Sequence, residues 1–495
     1  MKRPGENLKE NLKDFFLCFF MIMLSYQGFY RQGFSADTIT HYFNPLINID
    51  ARLQYGRVIP YLLESFLYKN NILLTEHYRF FYMMFVVVIA ISAYITLIPF
   101  RKILNGSKKG IEEKYKALLK ICLIFPFFSP YFAEFMMFPE CFMFCFAFLL
   151  AAIALYCFTE KKYVLSALFL ILGCFTYQIV VVLFAIYAVF YTALKEDFVY
   201  SNKLLIREVL ISACSFIPGA INVVFMRILY LITGSSDVPK SIELGSITDI
   251  IKRPVFLLHA FLKDSSGLIP FPYLFFALFV LAAGWGIYLF YRRGEGLKAL
   301  TFCLLTVATL LLSCAVPMIQ TDAARILFPI YLLVGIPLAT GIICFEQRGY
   351  FAVFGIIMSF LMLFSCQQIA VNHYISNDRD EVCAELVLDE INMYEENTGN
   401  TVKYIATCTD ESFDRYYDNV YYTYGQINER VSGIVSYSLL IYKDKMQRNT
   451  DEVRFEKVPM KSGIYEKYFK GKNWDNLNLS QQMVIEGDTA YWCVF

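Results

Sequence analysis

The sequence predicts an α-helical polytopic membrane protein of about eleven transmembrane helices, followed by a small C-terminal α/β domain. The 495-residue chain is 57% hydrophobic and 18% charged, whereas soluble domains are roughly 45–50% apolar and about 25% charged. Its apolar residues lie in runs, and several runs reach the roughly 20 residues that a helix needs to cross the hydrocarbon core. The apolar runs stop near residue 371, so we expect a membrane domain over residues 1–370 and a separate domain over 371–495.

The apolar runs divide the membrane domain into eleven candidate spans. Two of these runs are short, and neighbouring runs also fit tilted or broken helices, so the sequence leaves the number of spans open by about one or two. The candidate spans are 14–30, 80–100, 117–129, 138–158, 163–176, 178–194, 208–231, 271–291, 298–317, 326–344 and 350–370.

Loop charge predicts the orientation of these spans. Lys and Arg favour the cytoplasmic side of short loops, and every second connection of this chain is basic. The pattern predicts a cytoplasmic N-terminus, and it places the C-terminal domain outside. The first run resembles a signal peptide but lacks a small-residue cleavage site, so we expect it to remain as an anchor. The predicted outside segments are 31–79, 129–137, 232–270, 318–325 and 371–495.

The C-terminal segment carries the patterns of one small α/β domain. Residues 377–399 place apolar side chains at helical spacing. Residues 401–410, 431–444 and 489–495 are rich in β-branched and aromatic residues, which predicts strands. Three of the fourteen cysteines lie in this segment, and a disulfide among them stays open at this stage. They are Cys383, Cys408 and Cys493.

Both long outside loops contain amphipathic segments. In the first loop, Ile59, Leu62, Leu63, Phe66 and Leu67 fall on one face of a predicted helix. Residues 239–264 of the second loop have the same character. Such helices lie along a membrane surface, and two of them on one side predict a roofed cavity.

Asp37 is the first candidate for chemistry. It follows the first span, it is flanked by apolar residues, and it is the only acid of its loop before Asp50. A carboxylate near low dielectric can serve as a general base. The ordinary alternative is a solvated carboxylate at the end of a helix.

Two glutamates lie in the strongly apolar segment 125–144. An ionised Glu at bilayer depth costs about 2–3 kcal/mol, so such residues are usually functional. We expect Glu134 to lie in an outside loop level with Asp37, the alternative being a charge at the membrane interface. Glu140 is a candidate substrate-binding residue, although Pro139 and Glu140 also suit the first turn of a helix.

The candidate ligands for a phosphate are cationic residues of the outside loops. Arg57 and Arg325 carry guanidinium groups that match phosphate oxygens, and Arg325 has Asp322 as an alternative local partner. Lys263 and His259 are weaker candidates in the second long loop, for phosphate and substrate respectively. Tyr177 and Gln178 lie between two short apolar runs, where they form either a site for sugar hydroxyls or only a turn.

Several site types are absent from the sequence. It contains no phosphate-binding GxxxxGK[ST] loop, no GxGxxG after a strand, no HExxH and no GxSxG. The inside loops are also too short to hold a nucleotide-binding domain. We therefore expect a substrate from the membrane or from outside, no nucleic-acid partner and no cofactor that the sequence requires.

The order of these features resembles a known family. A basic N-terminus and a span precede Asp37, and Gly56–Arg57 follows about twenty residues later. SPYFAEFMMFPE, a Tyr-Gln pair between short spans, and DAARILFP come next. This order resembles the polytopic glucosyltransferases of the serotype-conversion type, which modify O-antigen, and more broadly the GT-C superfamily. The family often has Asp-Asp where this chain has Asp37–Thr38.

The resemblance implies an activity and a location. Such enzymes sit in the bacterial cytoplasmic membrane and take a sugar, here expected to be glucose, from a polyprenyl-phosphate carrier. They pass it to a hydroxyl of a cell-surface polysaccharide on the outer face. The resemblance makes Asp37 the base and leaves open whether Glu134 supplies a second catalytic carboxylate. It also implies that Arg or Lys side chains bind the phosphate, for which Arg57, Arg325 and Lys263 are the candidates. Nothing in the sequence requires a metal, although some enzymes of this fold use one.

Three other functions remain open from the sequence. A transporter or flippase of a lipid-linked glycan usually shows internal repeats and mid-membrane charges, and neither is evident here. A glycan polymerase or ligase would share the location but would depend on Arg-rich outside loops. A non-catalytic membrane scaffold is the fourth possibility.

Overall fold

The computed structural model describes residues 4–31, 33, 38, 42–106, 111–233, 252, 272–315, 324–410, 432–450, 452–472 and 479–494. These residues form a bundle of helices and, near the C-terminus, one four-stranded sheet.

The first half of the chain alternates long helices with short helical turns. Residues between Leu123 and Cys145 form mainly 3₁₀ turns, at Phe125–Phe128, Pro130–Ala133 and Pro139–Phe144. The α-helices are α1 (Pro4–Tyr26), α2 (Pro45–Gln54), α3 (Val58–Lys69), α4 (Tyr78–Gly106), α5 (Glu113–Leu123), α6 (Glu134–Met137), α7 (Cys145–Thr159), α8 (Tyr163–Thr176), α9 (Val180–Lys195), α10 (Asn202–Ser215) and α11 (Ile217–Thr233).

The second half completes the bundle and then adds the sheet. The remaining elements are α12 (Pro272–Arg292), α13 (Gly296–Ala315), α14 (Leu332–Cys344), α15 (Arg348–Thr398), β1 (Tyr404–Thr409), α16 (Ser432–Arg448), β2 (Glu456–Lys457), α17 (Ile464–Tyr468), α18 (Leu479–Gln482), β3 (Met483–Glu486) and β4 (Thr489–Val494).

Six helical segments of the described chain are long and apolar enough to cross a membrane, so the predicted count of about eleven spans is not confirmed. Four further apolar helices are shorter, at Tyr163–Thr176, Val180–Lys195, Ala277–Arg292 and Phe328–Cys344. The six segments are Leu8–Tyr30, Tyr78–Leu104, Pro139–Thr159, Asn202–Ile232, Gly296–Ala315 and Arg348–Thr398.

The predicted span 117–129 is not one regular helix. Helix α5 ends at Leu123, and 3₁₀ turns that begin around Pro126 and Pro130 follow it. Proline lacks the backbone N–H of a helical hydrogen bond, and its ring clashes with the preceding turn. The prolines therefore convert an apolar run into a compact buried chain segment.

The last predicted span and the predicted tail helix form one continuous helix. α15 runs over 51 residues from Arg348 to Thr398, so no break in secondary structure occurs near residue 371. Gly399 ends the helix with φ of 69°, a left-handed conformation that glycine adopts without steric cost. The change in composition near residue 371 therefore lies within α15, which is apolar in its first part and charged in its last part, and it does not mark the end of a helix.

The basic connections gather at one end of the bundle. Lys102 forms a salt bridge with Glu160, and Lys298 with Asp197 at 2.8 Å. Arg293 donates a hydrogen bond to the Cys344 carbonyl at 3.0 Å. These contacts join loops that the charge pattern assigns to the same side of the membrane.

The C-terminal sheet has strand order β2-β1-β4-β3, with β1 parallel to both β2 and β4, and β3 antiparallel to β4. The predicted strands at 401–410 and 489–495 are confirmed as β1 and β4. Cys408 and Cys493 lie opposite each other in this pair, and both are free thiols.

The predicted strand at 431–444 is wrong, because this segment belongs to helix α16. Its apolar, β-branched start favours a strand in a local reading. The buried side chains described in this segment, however, are Ser436, Leu439, Leu440, Ile441 and Asp444, whose recurrence every three to four residues is helical. Packing against α15 and the sheet decides the structure over local propensity.

Close packing around α14 gives a test of the bundle. A Cβ on Gly335 would lie 2.3 Å from the Cys122 carbonyl oxygen, so Gly335→Ala must push α5 and α14 apart. We expect a destabilisation of about 1–3 kcal/mol, measured as a lower midpoint of thermal unfolding in detergent. Gly284→Ala is the control, since a Cβ there meets no atom within 4 Å; equal midpoints for both variants would contradict this packing.

Candidate functional site

Arg57 lies in a sharp turn between α2 and α3. Gly56 has φ of 72°, and a Cβ at this position would lie 2.5 Å from Asn222 Oδ1. The Arg57 amide donates to the Arg52 carbonyl at 2.8 Å, which closes the turn at the end of α2. The turn therefore needs glycine next to the arginine, and this explains the Gly-Arg pair seen in the sequence.

Side chains from two other elements hold this turn in place. Gln178 Nε2 donates to the Tyr55 carbonyl at 2.7 Å, and Asn222 Nδ2 donates to the Gly56 carbonyl at 2.8 Å. The Tyr230 hydroxyl donates to the Gln54 carbonyl at 2.6 Å. Gln178 occupies the predicted turn between α8 and α9, where its side chain positions the backbone beside Arg57. Asn222 was not identified from the sequence, because a single Asn within an apolar helix gives no pattern.

Aromatic rings surround the Arg57 guanidinium. Its central carbon lies 4.9 Å from the Phe144 ring centre, 5.1 Å from Tyr177 and 5.2 Å from Tyr55. Phe144 and Tyr177 stack on each other with centres 4.6 Å apart and planes 15° apart. Cation–π contacts of this kind attract a guanidinium without neutralising it.

Arg57 makes no salt bridge within the described part of the chain, and its buried Nε has no hydrogen-bond partner there. Two other arginines near it are paired. Arg52 donates to both Glu64 oxygens, at 3.2 and 3.3 Å, and Arg325 forms a salt bridge with Glu134. Arg57 is thus the guanidinium of this group that has no carboxylate.

The surroundings make the positive charge of Arg57 costly. Burial lowers its pKa to about 10, and the cations Arg52 and Arg325 act in the same direction. The guanidinium remains protonated at neutral pH. Burial also raises the pKa of Tyr177, so its phenol stays neutral beside Arg57. A bound anion would relieve the unfavourable charge.

The Arg52–Glu64 pair connects α2 to α3 and both to the Glu140 segment. Arg52 is 7% exposed and Glu64 is 2% exposed, and Arg52 Nη2 also donates to the Glu140 carbonyl at 2.8 Å. Sequence analysis missed this pair. The sequence shows only that an Arg and a Glu lie twelve residues apart on two amphipathic segments of one loop. This is weak evidence for an ion pair, because loops commonly carry both charges.

Glu134 is fully buried and holds the backbone and side chain of Arg325 together. The Arg325 amide donates to Glu134 Oε2 at 2.7 Å, and the Arg325 guanidinium binds Glu134 Oε1. An aromatic cluster that includes Phe132, Phe135 and Phe328 packs around α6 and fixes this position. The alternative partner of Arg325, Asp322, lies outside the described residues.

Glu140 is 2% exposed and lies in the first turn of the 3₁₀ helix Pro139–Phe144, as its place after Pro139 suggested. Thr38 Oγ1 donates to Glu140 Oε2 at 3.4 Å, and Thr38 itself is fully buried. Thr38, which follows the first span, therefore contacts the Glu140 carboxylate.

The structure does not describe three of the predicted site residues. Asp37, His259 and Lys263 lie outside the described residues, as do nearly all of the predicted roofing segment 239–264. The amphipathic helix predicted in the first outside loop is present as α3, while its role as the roof of a cavity stays a prediction. The described site is thus Arg52, Arg57, Glu134, Glu140 and Arg325.

An apolar groove of about 640 Å³ runs along α3 and α4. On α3 it begins at Leu63, about 9 Å along the helix from Arg57. Met143 and Phe146 line its other wall, on either side of Phe144, which contacts Arg57. Phe66 and Phe80 at its rim are 65% and 67% exposed. An open apolar groove therefore starts close to the unpaired cation.

Among the described residues, no group of three or more His, Cys, Asp or Glu side chains is arranged to hold a metal ion. Comparison with protein-family models, with curated proteins and with solved structures finds no match to this chain. The interpretation of the site therefore rests on its own geometry.

Glu134→Gln tests the role of the buried ion pair. The neutral amide would leave the largely buried Arg325 cation without a carboxylate, which should cost about 2–4 kcal/mol of stability. Thermal unfolding in detergent measures the loss, and the double variant Glu134→Gln/Arg325→Gln should recover part of it. Glu113→Gln is the control, because Glu113 is 85% exposed in its salt bridge. A Glu134→Gln variant as stable as the control would contradict a structural role for this pair.

Proposed function

We propose that this chain is a membrane glycosyltransferase that moves a sugar from a polyprenyl-phosphate donor to a hydroxyl of a cell-surface polysaccharide. In the described part of the chain, six helical segments long and apolar enough to cross a bilayer give the setting. The observation that carries the proposal is Arg57, a guanidinium that lies among aromatic rings and forms no salt bridge in the described chain. Glucose, the outer face and a bacterial cytoplasmic membrane follow from the family resemblance.

A phosphodiester suits the charge of this site. Arg52 and Arg325 already have carboxylate partners, so Arg57 is the cation available for one added negative charge. A guanidinium presents several N–H groups in a plane and binds phosphate oxygens through pairs of hydrogen bonds.

The groove along α3 and α4 suits the carrier chain. Its lining is almost wholly apolar, and its volume of about 640 Å³ lies within the range of ligand sites. It starts within about 9 Å of Arg57 along α3. A lipid phosphate bound to Arg57 can therefore extend its isoprenoid chain into the groove and on into the bilayer.

The proposed reaction is a single displacement at the anomeric carbon. The acceptor hydroxyl loses its proton to the Asp37 carboxylate as its oxygen bonds to that carbon. The bond from the carbon to the phosphate oxygen breaks, and the electron pair leaves with the phosphate. Arg57 stabilises the added charge on the leaving group, and the anomeric configuration inverts. Thr38, which is next to Asp37 in the sequence, contacts Glu140, and this supports Asp37 as the base.

Arg57→Gln should remove the preference for a lipid phosphate. The probe is polyprenyl phosphate, and the matched ligand is the polyprenol of the same length, which lacks the phosphate. We expect at least about tenfold weaker binding of the phosphate by the variant, since a charge-assisted bidentate contact is lost, and unchanged binding of the alcohol. Native mass spectrometry measures both.

Arg79→Gln is the control for Arg57→Gln, because Arg79 is an exposed cation at the start of α4 on the same side of the bundle. It should bind both lipids as the unchanged protein does. Equal phosphate binding by Arg57→Gln and Arg79→Gln would remove Arg57 from the phosphate site.

The lowered pKa of Arg57 predicts a pH dependence. A group with a folded-state pKa near 10 loses its charge as the pH rises through that value, whereas an ordinary Arg keeps it. Binding of polyprenyl phosphate should therefore be constant from about pH 7 to 9 and fall through about pH 10. The fall should be absent from the residual binding of Arg57→Gln; the same fall in both proteins would assign it to other groups.

Asp37→Asn should abolish sugar transfer. A lost general base costs about a hundredfold or more in rate, while the isosteric amide leaves membrane insertion intact. Transfer of radiolabelled glucose from polyprenyl-phosphate glucose to membrane-bound polysaccharide measures the rate. Asp50→Asn, the next acid of the same loop, is the control. An Asp37→Asn enzyme with full activity would contradict the assigned base, and retained movement of the lipid without transfer would favour a flippase.

A further inference from the structure

A second polar site lies at the opposite end of the bundle from Arg57. A pocket of about 270 Å³ opens between α1, α4 and α5, where Arg101 lies about 35 Å along α4 from Tyr78. Its charged lining consists of four cations and three carboxylates, so it carries a net positive charge. The Lys and Arg distribution predicts that this end faces the cytoplasm.

Asp14 is the fixed centre of this pocket. It is 4% exposed, and it accepts hydrogen bonds from Arg101 at 3.2 Å and from Lys120 at 2.5 Å. One carboxylate thus holds two cations from two different helices in place, and one positive charge remains. Because Asp14 fixes the side chains of Arg101 and Lys120, the N–H groups of these two cations are preorganised around the pocket.

Two more cations stand at the mouth of the pocket. Lys13 is exposed and forms no salt bridge within the described part of the chain. Lys116 pairs with Glu113, which is 85% exposed, and a surface pair of this kind contributes little stability. Both ammonium groups are therefore available to an anion that enters the pocket.

An apolar surface adjoins the pocket through shared residues. A shallow groove of about 900 Å³ follows α1, and Lys13 and Leu17 line both it and the polar pocket. Its apolar side chains repeat every four residues and so form one stripe on the helix. Phe16 and Phe20 are each 59% exposed. The stripe consists of Leu8, Leu12, Phe16 and Phe20.

We infer that this pocket binds the anionic headgroup of a phospholipid, with an acyl chain along the α1 stripe. The headgroup phosphate meets Lys13, Lys116 and the free charge of the Arg101–Asp14–Lys120 cluster. A positive pocket beside a continuous apolar stripe matches the two parts of a lipid, whereas a free phosphate ion would leave the stripe unused. Basic pockets between helices at the cytoplasmic side are suited to anionic lipid headgroups. This site is independent of the proposed transferase activity.

Native mass spectrometry of the full-length protein tests the site with two lipids of identical acyl chains. Phosphatidylglycerol carries the anionic headgroup, and phosphatidylcholine carries a zwitterionic one. We expect about a tenfold preference for phosphatidylglycerol. Lys13→Gln/Lys116→Gln should reduce this preference to within about twofold. Lys13 is exposed and Lys116 is half-buried, and neither contacts the buried Asp14 carboxylate through a hydrogen bond in the described chain.

Lys114→Gln/Lys162→Gln is the matched control, with the same loss of charge at the same end of the bundle but outside the pocket. It should keep the tenfold preference. An equal loss of the phosphatidylglycerol preference in both double variants would show that only the net charge of the protein matters. That result would overturn the proposed headgroup site. Displacement of phosphatidylglycerol by an equal concentration of inorganic phosphate would overturn the lipid assignment in favour of a simple anion site.

Discussion

The desolvated charge of Arg57 is the constraint on which the candidate site depends. Folding takes this guanidinium out of water and surrounds it with the rings of Tyr55, Phe144 and Tyr177 without giving it a carboxylate in the described chain. Such a charge is unfavourable unless something else stabilises it. The turn around Gly56 and its hydrogen bonds from Gln178 and Asn222 hold the guanidinium in place, and we propose that it binds an anion there.

Two buried ion pairs position the chain segments around Arg57. Arg52 with Glu64 joins the two helices of the first loop, and Arg325 with Glu134 joins two chain segments 191 residues apart. In each pair the carboxylate neutralises its arginine. Arg57 is therefore the cation of this group that has no carboxylate partner in the described chain and that we propose binds the ligand. Paired charges thus position the backbone, and the charge without a carboxylate in the described chain is the one that we propose binds the donor phosphate.

Sequence patterns predicted the helical membrane architecture, the amphipathic helix α3, and strands β1 and β4. They also singled out Arg57, Glu134 and Arg325 as candidate site residues. They did not predict that residues 125–144 form compact 3₁₀ turns or that residues 431–444 form a helix, because tertiary packing overrides local propensity there. They also could not show that Arg325 pairs with Glu134 or Arg52 with Glu64. Side-chain partners that lie far apart in the sequence leave no periodic signal. The need for glycine at position 56 likewise becomes clear only from the structure, which packs Asn222 against that turn.

An experimental structure of the protein with polyprenyl phosphate bound tests the central claim most directly. The account predicts that phosphate oxygens lie within hydrogen-bond distance of the Arg57 guanidinium, with the isoprenoid chain in the groove between α3 and α4. It also predicts that Glu64 and Glu134 keep their arginine partners. A phosphate bound elsewhere, or an Arg57 neutralised by a carboxylate of the protein while the lipid is bound, would contradict it.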